Sequence, residues 1–152
     1  MLKPVKKTAA GSAGGAFTIV ASRYNARYVD GMLHAAVREL KRAGAKVQVV
    51  RVPGAYEIPV VAAKLASAAR PAAIICLGVI LRGETTHAQH IGEAVSQALM
   101  QIQITQGVPV IHEVLLLENK HQAEARCLDP KHNRGVEAAQ TAMEMARVMA
   151  RI

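Results

Sequence analysis

The chain has 152 residues, 51% of them hydrophobic but only 3% aromatic, so its core has to be built from aliphatic side chains. This length suits one domain, and no run approaches the roughly 18 apolar residues of a membrane span. The formal charge of +8 suits an anionic partner. Charge alone does not distinguish among nucleic acid, an acidic membrane and a phosphorylated metabolite. The two cysteines lack a C-x-x-C spacing and the amino terminus lacks an apolar signal core, which predicts a soluble, cytoplasmic protein.

Residues 1–15 are rich in Lys, Ala, Gly and Ser. They are predicted to form a flexible arm, because they bury too little apolar area to become ordered. A single domain is expected over residues 16–152, where apolar runs of strand length alternate with segments of helical periodicity. The predicted strands are 16–22, 46–52, 72–80 and 108–116. The first predicted helix begins at Ala26 and ends at Gly44. The other four predicted helices span 58–70, 86–106, 119–127 and 133–151.

This alternation of strands and helices predicts an α/β fold, a three-layer α/β/α sandwich around a four-stranded parallel sheet of the flavodoxin-like kind. In such sheets, ligands bind beyond the carboxyl ends of the strands. Four segments therefore become candidates for function: SRYNAR, PGAYEIP, LRGETTH and the far end of VIHEVLL.

The segment LRGETTH predicts an anion site. A helix that begins at Thr85 or Thr86 directs unpaired backbone N–H groups and the positive end of its dipole into the crevice, and Gly83 would let the backbone approach a ligand closely. His87 could exchange protons beside a bound phosphate. The alternative, equally weighted on this segment alone, is an ordinary helix cap with a surface histidine. His87 and His90 lack further ligands at suitable spacing, so no metal site is predicted.

The other loops each allow two interpretations. Glu57 lies among apolar residues and would need hydrogen-bond donors such as polyol hydroxyls, or else it merely interacts with a helix dipole. Tyr24 and Tyr56 could each stack on a flat heterocycle or cover the core, and a plug over the core is favoured for Tyr56. Read alone, His112 is a structural residue of a strand and Arg126 a solvated charge.

The motifs SRYN, VPGAYEIP, LGVILRGETTH, GVPVI, QAEAR and NRG occur in an order and spacing that resemble the lumazine synthase family, from about residue 16 to the end. The resemblance implies a transferase of riboflavin biosynthesis. Its reaction condenses 5-amino-6-(D-ribitylamino)uracil with 3,4-dihydroxy-2-butanone 4-phosphate and releases phosphate and water. Neither a metal nor an organic cofactor is implied.

The resemblance also implies roles for single residues. Contacts to the pyrimidine and its ribityl chain fall to Tyr24, Ala55, Tyr56, Glu57, Val79, Ile80, Leu81 and His112. Contacts to the phosphate fall to Glu84, Thr85 and Arg126, and proton transfer falls to His87. Residues 79–81 would bind largely through the backbone. The reaction then depends mainly on holding two reactants together.

Several positions depart from the family's pattern. His112 and Glu113 stand where the family usually has Phe-Gly, so an imidazole replaces the aromatic contact from the neighbouring subunit and could either stack or titrate. Glu84 has to turn its carboxylate away from the phosphate and bind through its N–H group. Arg134 replaces a common Lys, and two leucines replace threonines after the last strand.

The family's active site lies between subunits of a pentamer, and some members stack twelve pentamers into an icosahedral shell. The segment CLDPKHNRG lacks the insertion associated with free pentamers, which favours a shell. Pro4 in the arm disfavours an added edge strand, which favours free pentamers. The sequence therefore does not choose between the two assemblies. Riboflavin synthase is a further candidate partner.

A non-catalytic flavin or lumazine binder on the same scaffold is the alternative function, which the retained His87 and Arg126 disfavour. Scattered basic residues without interleaved aromatics disfavour nucleic acid, and no membrane partner is expected.

Overall fold

The computed structural model describes residues 2–5 and 15–152. Within these residues, four parallel strands form one sheet in the order β2-β1-β3-β4. The strands are β1 (Ala16–Ser22), β2 (Lys46–Val52), β3 (Ala73–Leu81) and β4 (Val110–Leu117). All four strands were predicted. The first two have the predicted bounds, and the other two are displaced by one or two residues toward the carboxyl end.

Two layers of helices cover the sheet. The helices are α1 (Ala26–Arg42), α2 (Ile58–Lys64), α3 (His87–Gln106), α4 (Lys120–Cys127) and α5 (Arg134–Ala150). Helices α1, α4 and α5 enclose one hydrophobic core, and α2 and α3 enclose the second core on the opposite face. This arrangement is the predicted three-layer, flavodoxin-like sandwich.

The central strand β3 explains the position of the crevice. It is buried at every residue except the last, because helices cover both of its faces and strands flank both of its edges. The chain runs outward from β1 to the edge strand β2, then crosses back to β3 on the other side of β1. The connections therefore diverge at the carboxyl ends of β1 and β3, which is where doubly wound sheets bind their ligands.

The helix predicted over 58–70 differs from expectation in its second half. Pro59 lies in the first turn as predicted, but Leu65–Ala69 form a π-helical turn. The backbone N–H of Arg70 donates to the carbonyl of Leu65 at 2.9 Å, a bond across five residues. Apolar periodicity over so short a segment does not distinguish a π turn from an α turn, and this is why the sequence missed it.

Helix α5 packs closely against α1. The side chain of Asn133 accepts from the N–H of Gly135 at 2.8 Å and donates to the carbonyls of Gly31 and Cys127 at 3.1 and 2.8 Å. A Cβ atom at Gly135 would overlap the carbonyl of Met32, so only glycine allows this approach. The asparagine therefore caps α5 and also fixes it to the neighbouring helices.

The predicted arm is described only at residues 2–5 and 15, and the remainder of residues 1–15 lies outside the described residues. The N–H of Val5 donates to the carbonyl of Lys131 at 2.8 Å. The extent of the arm and the single domain over 16–152 stay predictions.

Both cysteines are free and buried, and burial raises the pKa of Cys76 and of Cys127 to about 12. Thiols held in the protonated form are poor nucleophiles and poor metal ligands. None of the helices in residues 2–5 and 15–152 combines the length and apolarity needed to cross a bilayer.

Candidate active site

The loop after β1 joins the carboxyl ends of three strands. The N–H groups of Arg23 and Tyr24 both donate to the carbonyl of Pro53, each at 2.9 Å. Asn25 has a left-handed backbone (φ 58°), which asparagine tolerates better than most residues, and its Nδ2 donates to the carbonyl of Val79 at 2.7 Å. Sequence reasoning gave Asn25 no role of its own. The contact fixes the loop that carries Tyr24, a residue that is 66% exposed.

Gly54 brings Tyr24 and Glu57 together. A Cβ atom at Gly54 would lie 2.8 and 2.9 Å from two carbons of the Tyr24 ring and 3.3 Å from Glu57 Oε2. The φ angle of Gly54 is −127°, which other residues adopt readily, so the requirement is for space and not for backbone freedom. Sequence reasoning missed this role, although the Pro-Gly pair that ends β2 pointed to a close turn.

Tyr56 and Glu57 are exposed, and the interpretation of Tyr56 as a plug over the core is therefore wrong. Tyr56 does not cover the core, and the carboxylate of Glu57 is not buried. The two residues belong to a 3-10 turn, Ala55–Glu57, in which only Ala55 points into the core. The backbone N–H of Glu57 donates to the carbonyl of Gly54 at 3.2 Å. Within the described residues its carboxylate forms no hydrogen bond or ion pair, so it is open to donors from a ligand.

The end of β3 offers backbone rather than side chains. Val79 and Ile80 are buried and Leu81 is half-buried, so a ligand in the crevice would meet mainly their peptide groups. The next residue, Arg82, donates its N–H to the carbonyl of Leu117 at 2.8 Å, and its guanidinium lies 3.1 Å from Glu118. These two contacts hold the following loop against the end of β4.

Helix α3 begins where the sequence predicted it, with Thr86 at the N-cap and His87 as the first helical residue. The N–H of His87 donates to Thr85 Oγ1 at 3.3 Å, and Thr86 Oγ1 lies 3.2 Å from His90 Nε2. Residues 82–87 are all exposed. Among the described residues, the side chains of Glu84 and His87 form no hydrogen bond or ion pair, so this helix start is open to an anion.

Nothing in the described part of the chain explains the glycine at position 83. A Cβ atom there would meet no atom within 4 Å, so the expected close approach does not involve this chain's own described atoms. Across residues 2–5 and 15–152, no group of three or more His, Cys, Asp or Glu is placed to hold a metal ion.

The two unusual residues of β4 point to opposite faces of the sheet. On the α3 side, His112 Nε2 lies 2.7 Å from Ser96 Oγ. Partial burial lowers the pKa of His112, although the residue as a whole is exposed in the single chain. On the α5 side, Arg134 donates to the carboxylate of Glu113 at 3.2 and 3.3 Å. Burial raises the pKa of Glu113, and the guanidinium opposes that shift. Strand alternation places neighbouring residues on opposite faces, but it does not reveal these partners.

Arg126 lies in the last turn of α4, where it is half-buried and lies 3.5 Å from the carbonyl of Gln122. In the part of the chain that the structure describes, no hydrogen bond or ion pair joins Arg126 or His112 to the loops around β1–β3. The candidate residues thus form two groups. We name residues 23–25, 53–57 and 79–87 the loop cluster, and His112 with Arg126 the edge pair.

The sheet order and the loop cluster define a flavodoxin-like α/β protein with a polar crevice at the carboxyl end of its sheet. The sequence profile of the 6,7-dimethyl-8-ribityllumazine synthase family matches residues 14–150. The chain belongs to this family.

Named relatives of this family match most of the chain. The 6,7-dimethyl-8-ribityllumazine synthase of Stenotrophomonas maltophilia (strain R551-3) is 43% identical over 136 residues, which cover 88% of each chain. That of Xylella fastidiosa (strain 9a5c) is 42% identical over 143 residues, which cover 92% of this chain and 93% of the relative. That of Xanthomonas campestris pv. campestris (strain B100) is 41% identical over 136 residues, with 88% of each chain covered.

Proposed function

We propose that this chain forms 6,7-dimethyl-8-ribityllumazine from 5-amino-6-(D-ribitylamino)uracil and 3,4-dihydroxy-2-butanone 4-phosphate in riboflavin biosynthesis. The observation that carries the proposal is the family match over residues 14–150, which includes every candidate site residue. The exposed side chains of Glu57, Glu84 and His87 support it, because they have no partner among the described residues and can exchange water for a bound substrate.

In this proposal the phosphate lies at the amino terminus of α3. The first backbone N–H groups of a helix have no partners inside it, and its dipole favours an anion. Thr85 adds a hydroxyl at this point, while the unpaired and exposed carboxylate of Glu84 is free to turn toward solvent. Arg126 of a neighbouring copy supplies the positive charge that a phosphate ester requires.

The pyrimidine lies beside Tyr24, and its ribityl chain runs along the turn that holds Ala55, Tyr56 and Glu57. Gly54 supports this arrangement, because it brings the exposed ring of Tyr24 and the Glu57 carboxylate to one point. Ribityl hydroxyls are donors that suit an unpaired carboxylate. The peptide groups of residues 79–81 bind the polar edge of the ring.

His87 is the group that moves protons. The pyrimidine's amine forms an imine with the ketone carbon and expels water, phosphate then leaves by elimination, and ring closure expels a second water, so protons have to leave nitrogen and carbon and reach departing oxygens. Imidazole is suited to both transfers near neutral pH. The backbone N–H of His87 donates to Thr85 Oγ1 at 3.3 Å, while its imidazole has no partner among the described residues, and this placement supports the role. Most of the acceleration comes from holding both reactants side by side.

The loop cluster of one subunit meets the edge pair of the next in a pentamer. Two observations support this part of the proposal. Within a single described chain the two groups do not bond to each other, and α2 and α3 present the apolar side chains of Val60, Met100 and Ile104, which are 71%, 56% and 67% exposed. Association would cover this apolar surface. A shell of pentamers and a partnership with riboflavin synthase stay predictions, which native mass and co-purification would check.

The test is to mix the purified protein with both substrates and follow the absorbance of the lumazine product. We expect a rate well above the uncatalysed background, which disappears when the phosphorylated substrate is omitted. Arg147→Ala, at a partly exposed position in the last turn of α5, is a control that should match the unmodified protein. Binding of the lumazine without turnover would contradict the proposal and support the non-catalytic binder.

A further inference from the structure

The hydrogen bonds of His112 define where its protons lie. The backbone N–H of Val114 can only donate, and it lies 3.1 Å from His112 Nδ1, so Nδ1 accepts. The proton of the neutral ring is therefore on Nε2, which lies 2.7 Å from Ser96 Oγ.

Ser96 defines the same proton positions independently. Its hydroxyl donates to the carbonyl of Gly92 at 2.8 Å, because a carbonyl oxygen can only accept. Because the hydroxyl proton is already used in this bond, Ser96 Oγ can only accept from His112. Nε2 is therefore the donor. The chain of bonds runs in one direction from Val114 through His112 and Ser96 to Gly92, and each group has its partner.

We infer that Ser96 is a positioning residue that holds the His112 ring neutral and in a fixed orientation, so that His112 offers the pyrimidine a flat stacking surface and takes no part in proton transfer. This inference rests on the proposed function, in which the edge pair of one subunit meets the loop cluster of the next, with His112 in the pyrimidine contact that the family resemblance implies. It chooses between the two roles, stacking and titration, that the sequence left open for an imidazole in place of a phenyl ring.

Occupied nitrogens are the physical reason for the choice. With Nδ1 and Nε2 both bonded inside the chain, the ring has only its faces and carbon edge left for a ligand. A second proton on the ring would place an N–H group against the N–H of Val114, which is repulsive. The ring is exposed in the single chain, so its free face remains accessible. A neutral imidazole stacks on a flat heterocycle much as a phenyl ring does.

The first test separates binding from catalysis. Equilibrium titration with 5-amino-6-(D-ribitylamino)uracil gives a Kd that does not depend on turnover. Ser96→Ala should raise this Kd about three- to tenfold, the effect of one lost hydrogen bond, and kcat should fall far less than Kd rises. Ser96→Thr keeps a hydroxyl and should restore binding. An unchanged Kd in Ser96→Ala, or an equal loss in kcat, would overturn the inference.

Substitutions of His112 test the role of the ring. His112→Ala should weaken pyrimidine binding more than His112→Phe, because only alanine removes the stacking surface. Adding Ser96→Ala to His112→Phe should cause no further loss, because no ring nitrogen remains for the serine to hold. Weaker pyrimidine binding in His112→Phe than in His112→Ala would contradict the stacking role. A further loss of affinity in the double variant would contradict the role of Ser96.

Nitrogen NMR of the ring reads the tautomer directly. At pH 7 we expect His112 to be neutral with its proton on Nε2, and a proton on Nδ1 would overturn the inference. These measurements also keep the two proposals distinguishable. A protein that binds the pyrimidine but makes no product would contradict the proposed function, while the Kd values and ring spectra would still decide the role of Ser96.

Discussion

The loop cluster and the region around β4 hold their polar side chains in opposite ways. In the loop cluster, Glu57, Glu84 and His87 are exposed and have no side-chain partner among the described residues. Around β4, His112 is bonded at both ring nitrogens and Glu113 is held by two bonds from Arg134. The loop cluster keeps these three side chains open, although Asn25 and Arg82 are bonded there, whereas the region around β4 satisfies His112 and Glu113 within the described chain.

This difference indicates what each region contributes. Unpaired, exposed groups on a loop held by backbone bonds can exchange water for a ligand at small cost. Groups that are already bonded and partly buried add rigidity and shape instead. Substitutions in the loop cluster should therefore change catalysis and leave stability nearly unchanged. Those around β4 should change stability or the shape of the site.

The largest expected effect is on catalysis in the loop cluster. His87→Ala should lower kcat by about a hundredfold to ten-thousandfold, the usual contribution of a general acid–base group. The free energy of unfolding should change by less than about 0.5 kcal/mol, because the exposed ring has no partner to lose. Steady-state rates and urea unfolding measure the two effects. Full turnover would remove His87 from the mechanism.

The largest expected effect on stability lies at the buried pair. Arg134→Ala leaves the side chain of Glu113, which is 7% exposed, without its cation. The variant should lower the free energy of unfolding by about 2–3 kcal/mol. This loss is smaller than for a fully buried pair, because the side chain of Arg134 is 32% exposed. Arg147→Ala is the matched control, since its pair with Glu144 is exposed and should cost about 0.5 kcal/mol or less. Equal losses in the two variants would contradict the assignment.

Arg126→Ala should raise the KM for the phosphorylated substrate about tenfold or more, because it removes a charge-assisted hydrogen bond, while the Kd of the pyrimidine should hardly change. Initial rates at varied concentrations of each substrate measure the difference. An equal loss for both substrates would place Arg126 elsewhere in the site.

Gly54 and Gly83 sharpen the comparison within the loop cluster. Gly54→Ala should displace Tyr24 and Glu57 and raise the Kd of the pyrimidine about threefold to tenfold. The added Cβ of Gly83→Ala meets no atom of residues 2–5 and 15–152 within 4 Å, so this variant should leave stability unchanged and affect only the phosphorylated substrate. If Gly54→Ala weakened only the phosphorylated substrate and Gly83→Ala only the pyrimidine, these assignments of the two glycines would be contradicted.

The smallest expected effect is a pH dependence. Burial raises the pKa of Glu113 above its usual 4.5, so the folded chain holds this proton more tightly than the unfolded chain. The stability from this group is present below pH 4.5 and is lost as the pH rises through the folded pKa. Glu113→Gln should remove this fall, and Arg134→Ala should extend it to higher pH. Identical pH profiles of unfolding in all three proteins would contradict the burial argument.

The fold was largely predictable because its signals are local. Buried runs such as that of β3, the left-handed Gly44 after α1 and Pro59 at the start of α2 each act within a few residues. The π turn at Leu65–Ala69 was missed because it differs from an α turn by one residue of hydrogen bonding.

The candidate site was predictable as residue types and only partly as geometry. The open helix start at His87 follows from a local capping pattern. The exposure of Glu57, the contact of Tyr24 with Gly54 and the bond between Ser96 and His112 depend on how distant segments pack, which a single sequence does not specify.

The central claim is that each active site combines the loop cluster of one copy with the edge pair of another. Co-assembly of equal amounts of His87→Ala and Arg126→Ala tests it directly. If the site is shared, random mixing leaves both halves intact at about one interface in four, and the mixture should recover about a quarter of the original activity. Activity no greater than the average of the two separate variants would contradict the claim.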